Sequence, residues 1–256
     1  MLGVPATTEF DLRFRLLGIP VRVHPFFWVL AALLGWNRGD IVPILIWVAS
    51  VFVSILVHEF GHALAARALV RQNPFVVLYS MGGLCVYDHV DRRPWRRVAI
   101  LLAGPGAGFL LYLAVAIFGT VVFGLLPFPY RPDEIEAYVH QPPRWLSTPM
   151  INAYWDLGTI NLIWGIFNLL PIYPLDGGQI AHTLLARSDP REGPRRCHIV
   201  SIGIAALVAV FLYQRGQNFN ALMVASLGLI NFQLLQATQF QARDSGNDDD
   251  GDWWRR

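Results

Sequence analysis

The stretch IVPILIWVASVFVSILVHEFGHALAARAL, residues 41–69, decides how this chain is read. From Ile41 to Val57 it carries no charge, and at 1.5 Å per residue such a run covers most of a hydrocarbon layer roughly 30 Å thick. His58, Glu59 and His62 follow without a break. Ionisable groups at that depth are costly unless they face a polar cavity or a partner, so they mark a functional site.

The spacing of the three is itself chemical. Residues four apart on a helix share one face, so His58 and His62 can direct ring nitrogens at one zinc ion. Glu59 stands beside the first histidine, where a carboxylate can take a proton from water whose pKa zinc lowers towards about 7. A catalytic zinc takes three protein ligands and leaves one position open, so a third must come from elsewhere. The best candidate is Asp176, in NLLPIYPLDGG at residues 168–178. Its two prolines withhold backbone donors and its two glycines allow close approach, so an irregular helix end lining a cavity is expected there.

Working outward, 54% of the 256 residues are hydrophobic and 15% are charged, against about a quarter charged in soluble proteins. The expected fold is an α-helical polytopic membrane protein with about six transmembrane helices and a small membrane-associated β-hairpin. The candidate spans are residues 24–37, 41–66, 98–126, 153–175, 198–214 and 218–238, the first and fifth being the shortest. The N-terminus places acids and arginines before any apolar run, unlike a cleavable signal peptide, so the first helix is expected to remain as an anchor.

Every basic residue is arginine. With the termini in the cytoplasm, that side collects Arg13, Arg15, Arg22, Arg67, Arg71, Arg92, Arg93, Arg96, Arg97, Arg187, Arg191, Arg195, Arg196, Arg243, Arg255 and Arg256. The other side holds only Arg38, Arg131, Arg144 and Arg215. The positive-inside rule therefore predicts cytoplasmic termini, and the same orientation puts Asp176 and the end of the HExxH helix at one depth. Cys85 and Cys197 fall on the reducing side, and no disulfide is expected.

Residues 10–25 suit a short strand or interfacial segment, with His24 read as structural. Residues 74–90, PFVVLYSMGGLCVYDHV, read as a hairpin with an unpaired edge. The proline-rich segment from Pro127 to Pro149, with Asp133, Glu134 and Glu136, reads as an extracytoplasmic loop. Residues 1–242 are expected to form one membrane domain, followed by a polar, disordered tail at 243–256.

HEFGH at 58–62 and NLLPIYPLDG at 168–177 match the HExxH and NxxPxxPLDG patterns of the site-2 protease family of intramembrane metalloproteases, and the chain resembles that family, which includes the sporulation-factor proteases. The resemblance covers about residues 15–240. It implies zinc held by His58, His62 and Asp176, Glu59 as general base, Asn168 helping to bind or polarise substrate, and transmembrane protein substrates in a bacterial or archaeal cell membrane. It also implies contact with membrane lipid and, as possible partners, regulatory membrane proteins; no nucleic-acid partner is expected. The family's third helix carries GPxxN, whereas here Gly104 and Pro105 lead to Gly108. No PDZ or CBS domain, common in relatives, is present in the sequence. The alternative class is a non-proteolytic zinc-binding or zinc-transporting membrane protein, which would not need Glu59 between the histidines.

Overall fold

The computed structural model describes residues 4–80, 82–87, 93–123 and 147–247. The N-terminal residues form two strands, β1 (Leu12–Leu16) and β2 (Ile19–Val23), joined by Leu17 and Gly18 at φ 51° and 76°. Left-handed dihedrals at both positions suit a two-residue turn that follows the strand twist. His24 caps the next helix, α1 (Pro25–Leu34), its Nδ1 accepting from the Phe26 N–H at 3.1 Å. A 3-10 turn, Trp36–Arg38, leads into α2 (Ile41–Val70). Strands β3 (Phe75–Tyr79) and β4 (Gly82–Val86) follow, then α3 (Pro94–Phe123), α4 (Thr148–Asn168), α5 (Asp176–Ser188), α6 (Gly193–Gln214) and α7 (Asn218–Asn247).

The expected hairpin is half of a four-stranded sheet in the order β1-β2-β3-β4. β3 and β4 pair antiparallel, but β3 also pairs parallel with β2, from Val21↔Val76 to Val23↔Leu78. Only β4 of the two therefore lies at an edge. The alternation in IPVRV explains the extra pairing: Ile19, Val21 and Val23 turn to the same side as Val76 and Leu78. These five pack with Phe27 and Ala31 of α1 and Val51, Ile55, Phe60 and Ala63 of α2 in one buried core. The sheet thereby seats α2 along its length.

Among the described residues, four helices are long and apolar enough to cross a membrane: α2, α3 over Pro94–Val122, α6, and α7 over Asn218–Ala237. Leu110, Leu113, Ile117 and Val121 form an exposed stripe on α3, the surface a helix turns to hydrocarbon. The expected count of six is not confirmed: α1 and α4 fall short by length or hydropathy. α1 has 10 residues, about 15 Å of helix. α4 carries Asn152, Asp156, Asn161 and Asn168, which lower its hydropathy, and it stops at Asn168 instead of running to residue 175.

The chain divides into two compact units, residues 1–167 and 168–256. Within the second, an irregular stretch over residues 169–175 leads into α5, and α6 packs against both α5 and α7. The loop expected at 127–149 lies outside the described residues except at its end. Residues 243–247 of the expected tail continue α7, and 248–256 lie outside the described residues.

Candidate active site

In the first unit, α2 brings His58, Glu59 and His62 to its buried face, at 4%, 6% and 6% exposure. The histidine rings meet edge to face, 4.9 Å between centroids, and their Nε2 atoms are 3.2 Å apart. Two nitrogens bound at about 2.0–2.1 Å to a tetrahedral zinc lie about 3.3 Å apart, so the pair already has the spacing of one edge of a zinc site.

His62 is further prepared by its neighbour. Its Nδ1 lies 2.7 Å from the carbonyl oxygen of Ile100 on α3. A carbonyl can only accept, so Nδ1 carries the hydrogen and Nε2 keeps its lone pair for a metal, the arrangement that fixes ring orientation in metal-ligating histidines. Pro105 lies inside α3 and withholds the N–H that would bond the carbonyl of Leu101. A Cβ on Gly104 would run into the His62 ring.

Glu59 is positioned from the opposite direction. Its side chain lies against the backbone of β4, where a Cβ on Gly83 would overlap its Cγ. Cys85, two residues along, is half-buried, and burial first and the charge of Glu59 second push its thiol well above the ordinary range. Cys85 therefore stays protonated at neutral pH. One turn before His58, Ser54 Oγ accepts from Asn161 Nδ2 of α4 at 2.8 Å, and Nδ2 also donates to Leu157 O at 2.8 Å. Asn161 lies beside Gly108, the position where the GPxxN asparagine is missing.

Further along the first unit, Arg38 grips Asp156 of α4 through two bonds of 2.9 and 2.7 Å, and its guanidinium stacks 4.6 Å from the Trp47 ring centre. Gly83, which the sequence suggests for the joint of the hairpin, lies instead inside β4, and nothing in the sequence pointed to Ser54, Asn161 or this ion pair. Only GPG at 104–106 gave a signal, as a motif fragment.

In the second unit, Asp176 is the first residue of α5 and is buried at 7% exposure. Asn168 is buried at the end of α4. By donor chemistry, His58, His62 and Asp176 make up a candidate set of metal ligands: two ring nitrogens and a carboxylate oxygen, all from buried side chains. Two neutral nitrogens and one anionic oxygen fit zinc.

The model of Peptidase family M50 matches residues 46–212. The protein sll0528 of Synechocystis sp. is 28% identical over 231 residues, covering 84% of this chain and 52% of that protein. Stage IV sporulation protein FB of Bacillus subtilis is 27% identical over 182 residues, covering 71% of this chain and 53% of that one. The chain spans about half the length of these curated relatives. The solved Site-2 Protease from Methanocaldococcus jannaschii superposes with a TM-score of 0.57 at 20% identity, covering 87% of this chain and 95% of that one, a likeness of fold.

Proposed function

The chain belongs to peptidase family M50, and from that premise we propose that it is a zinc metallopeptidase of the site-2 protease kind, hydrolysing peptide bonds in or beside transmembrane segments of other proteins. His58, His62 and Asp176 hold the metal and Glu59 is the general base. The observation that carries this reading is the buried His58–His62 pair, its Nε2 atoms 3.2 Å apart with one ring already oriented by a backbone carbonyl. Zinc, when bound, acidifies water and polarises the scissile carbonyl.

The chain's own groups do the rest. Glu59 takes the proton of the attacking water and passes it to the leaving amine nitrogen. The backbone of β4 behind it limits where its carboxylate can swing. A peptide bond inside a helix is shielded and already hydrogen-bonded, so substrate must unwind. Unwound backbone in a membrane needs new partners, and the edge of β4 offers them by strand addition. Asn168 supplies an amide to the substrate backbone. The site faces the cytoplasm, in keeping with the arginine distribution.

The test is metal content and cleavage together. Purified protein should hold about one zinc per chain, lost in His58→Ala and in Asp176→Ala. Glu59→Gln should retain zinc and fail to cleave a co-expressed single-span substrate, because an amide cannot accept the proton. Full zinc occupancy in both ligand variants, or undiminished cleavage by Glu59→Gln, would overturn the assignment.

A further inference from the structure

The stretch that delivers Asp176, residues 169–175, is neither helix nor strand, so its backbone groups have no regular ladder to pair with. Every buried N–H and C=O must then find a partner within the protein. Pro171 and Pro174 have no N–H to place. The Ile172 N–H bonds Leu170 O at 2.7 Å, and the Leu175 N–H bonds Ile172 O at 2.8 Å. Gln179 Nε2 donates to Pro174 O at 3.1 Å. Within residues 171–175, the Leu175 carbonyl accepts from the Gln179 N–H at 2.8 Å, which leaves the N–H of Tyr173 and the carbonyls of Tyr173 and Pro171, and side chains of α6 and α7 take all three.

Ser201 of α6 is fully buried and uses its hydroxyl twice. Its Oγ accepts from the Tyr173 N–H at 3.0 Å and donates to Pro171 O at 3.3 Å. Asn231 of α7, also fully buried, donates through Nδ2 to the carbonyl of Tyr173 and to Leu227 O at 2.8 Å. Both amide hydrogens are thereby committed, so Oδ1 is the acceptor that faces His198, 2.9 Å from its Nδ1. The chemistry assigns the hydrogen to Nδ1 and locks the amide against flipping. The Tyr173 ring stands edge-on to the His198 ring, 5.5 Å between centroids, and Cys197 Sγ reaches Gly178 O at 3.6 Å.

We propose that Ser201, His198 and Asn231 form a polar brace that fixes the Pro171–Leu175 turn and, through it, the place where Asp176 enters α5. They are positioning residues: none of them touches substrate or metal. The proposal rests on the reading of Asp176 as a metal ligand. A polar side chain in the middle of an apolar helix, such as Asn231, normally bonds across to a neighbouring helix. Here it holds an irregular turn three residues from a candidate ligand.

The proposal is tested on full-length protein in detergent, with zinc affinity measured by chelator competition and the visible spectrum recorded after cobalt(II) substitution. Asn231→Leu and Ser201→Ala should weaken zinc binding roughly 10- to 100-fold, the usual effect of removing a group that orients a ligand, and should shift the cobalt bands at saturating metal. Ser201→Thr keeps the hydroxyl and should restore both. Thermal melting run in parallel identifies variants that are merely less stable; Ser201→Ala, the mildest change, gives the reading if Asn231→Leu fails to fold. Wild-type affinity and spectrum in folded Ser201→Ala, alongside loss of metal in Asp176→Ala, would overturn the brace while leaving the ligand assignment standing. Retention of metal by Asp176→Ala would overturn the ligand assignment and the brace with it.

Discussion

The side chain of Glu59 rests on the main chain of Gly83, with no room for even a methyl group between them. The two come from different elements, α2 and β4, and the contact ties the candidate general base to the edge strand of the sheet. A substrate strand added to β4 would be held in fixed relation to the carboxylate.

Gly83→Val should therefore reduce cleavage at least about 10-fold while zinc content stays at the wild-type level, because the atoms nearest an added Cβ all belong to Glu59. Overpacking of this kind costs typically 1–3 kcal/mol. Zinc analysis and single-turnover cleavage of the same preparation check this; wild-type cleavage would show that the Glu59 position is not constrained by β4.

Gly104→Ala is expected to act on the metal instead. Its Cβ would meet the His62 ring, so zinc affinity should fall by at least about 10-fold, and activity with it. Chelator competition reads the effect directly, and excess zinc should recover part of the lost activity.

Strand addition predicts an asymmetry between β3 and β4. Proline at the β4 position among Leu84–Val86 whose N–H points away from β3 should slow cleavage and spare both folding and zinc. Proline anywhere in Val76–Leu78 should destabilise the protein, because β3 is bonded on both sides and proline cannot donate to a ladder. If outward-facing prolines in β4 left cleavage of a transmembrane substrate untouched, strand addition would have to be given up.

The Arg38–Asp156 pair predicts a double-mutant result. Asp156 is 5% exposed, so Arg38→Met strands a buried carboxylate and should cost about 3–5 kcal/mol. Asp156→Leu added to it should recover most of that loss. Strictly additive losses in thermal or denaturant unfolding would mean the two do not act as a pair.

The orientation predicts that tags at either terminus are reached only from the cytoplasm, and a tag within residues 131–146 only from the opposite side. Protease protection in intact cells decides between this arrangement and its inverse.

How much was legible in the sequence depended on how local the determinant is. The histidine pair needs only a four-residue helical spacing, and it was visible as such. The apolar lengths of α2, α3, α6 and α7 were visible for the same reason. The pairing of β2 with β3 was not, because hydrogen bonds between Val21–Val23 and Val76–Leu78 leave no trace in either segment alone. Gly83 and Gly104 matter through what sits opposite them, which one chain segment does not reveal. Ser201 and Asn231 matter through the backbone groups of the 171–175 turn that they satisfy, and neither α6 nor α7 alone shows that turn. The count of six spans is not confirmed at two helices, where the apolar signal is weakest: α4 interleaves asparagines with its apolar residues, and α1 is a helix of 10 residues.

The parallel pairing of β2 with β3 also sets an order of events during synthesis. β1 and β2 can zip together as soon as they emerge, but the far side of β2 stays open until residues 75–79 have been made. Everything between them, α1 and the whole of α2, has by then been synthesised. The returning chain must surface where it left, or the sheet cannot close.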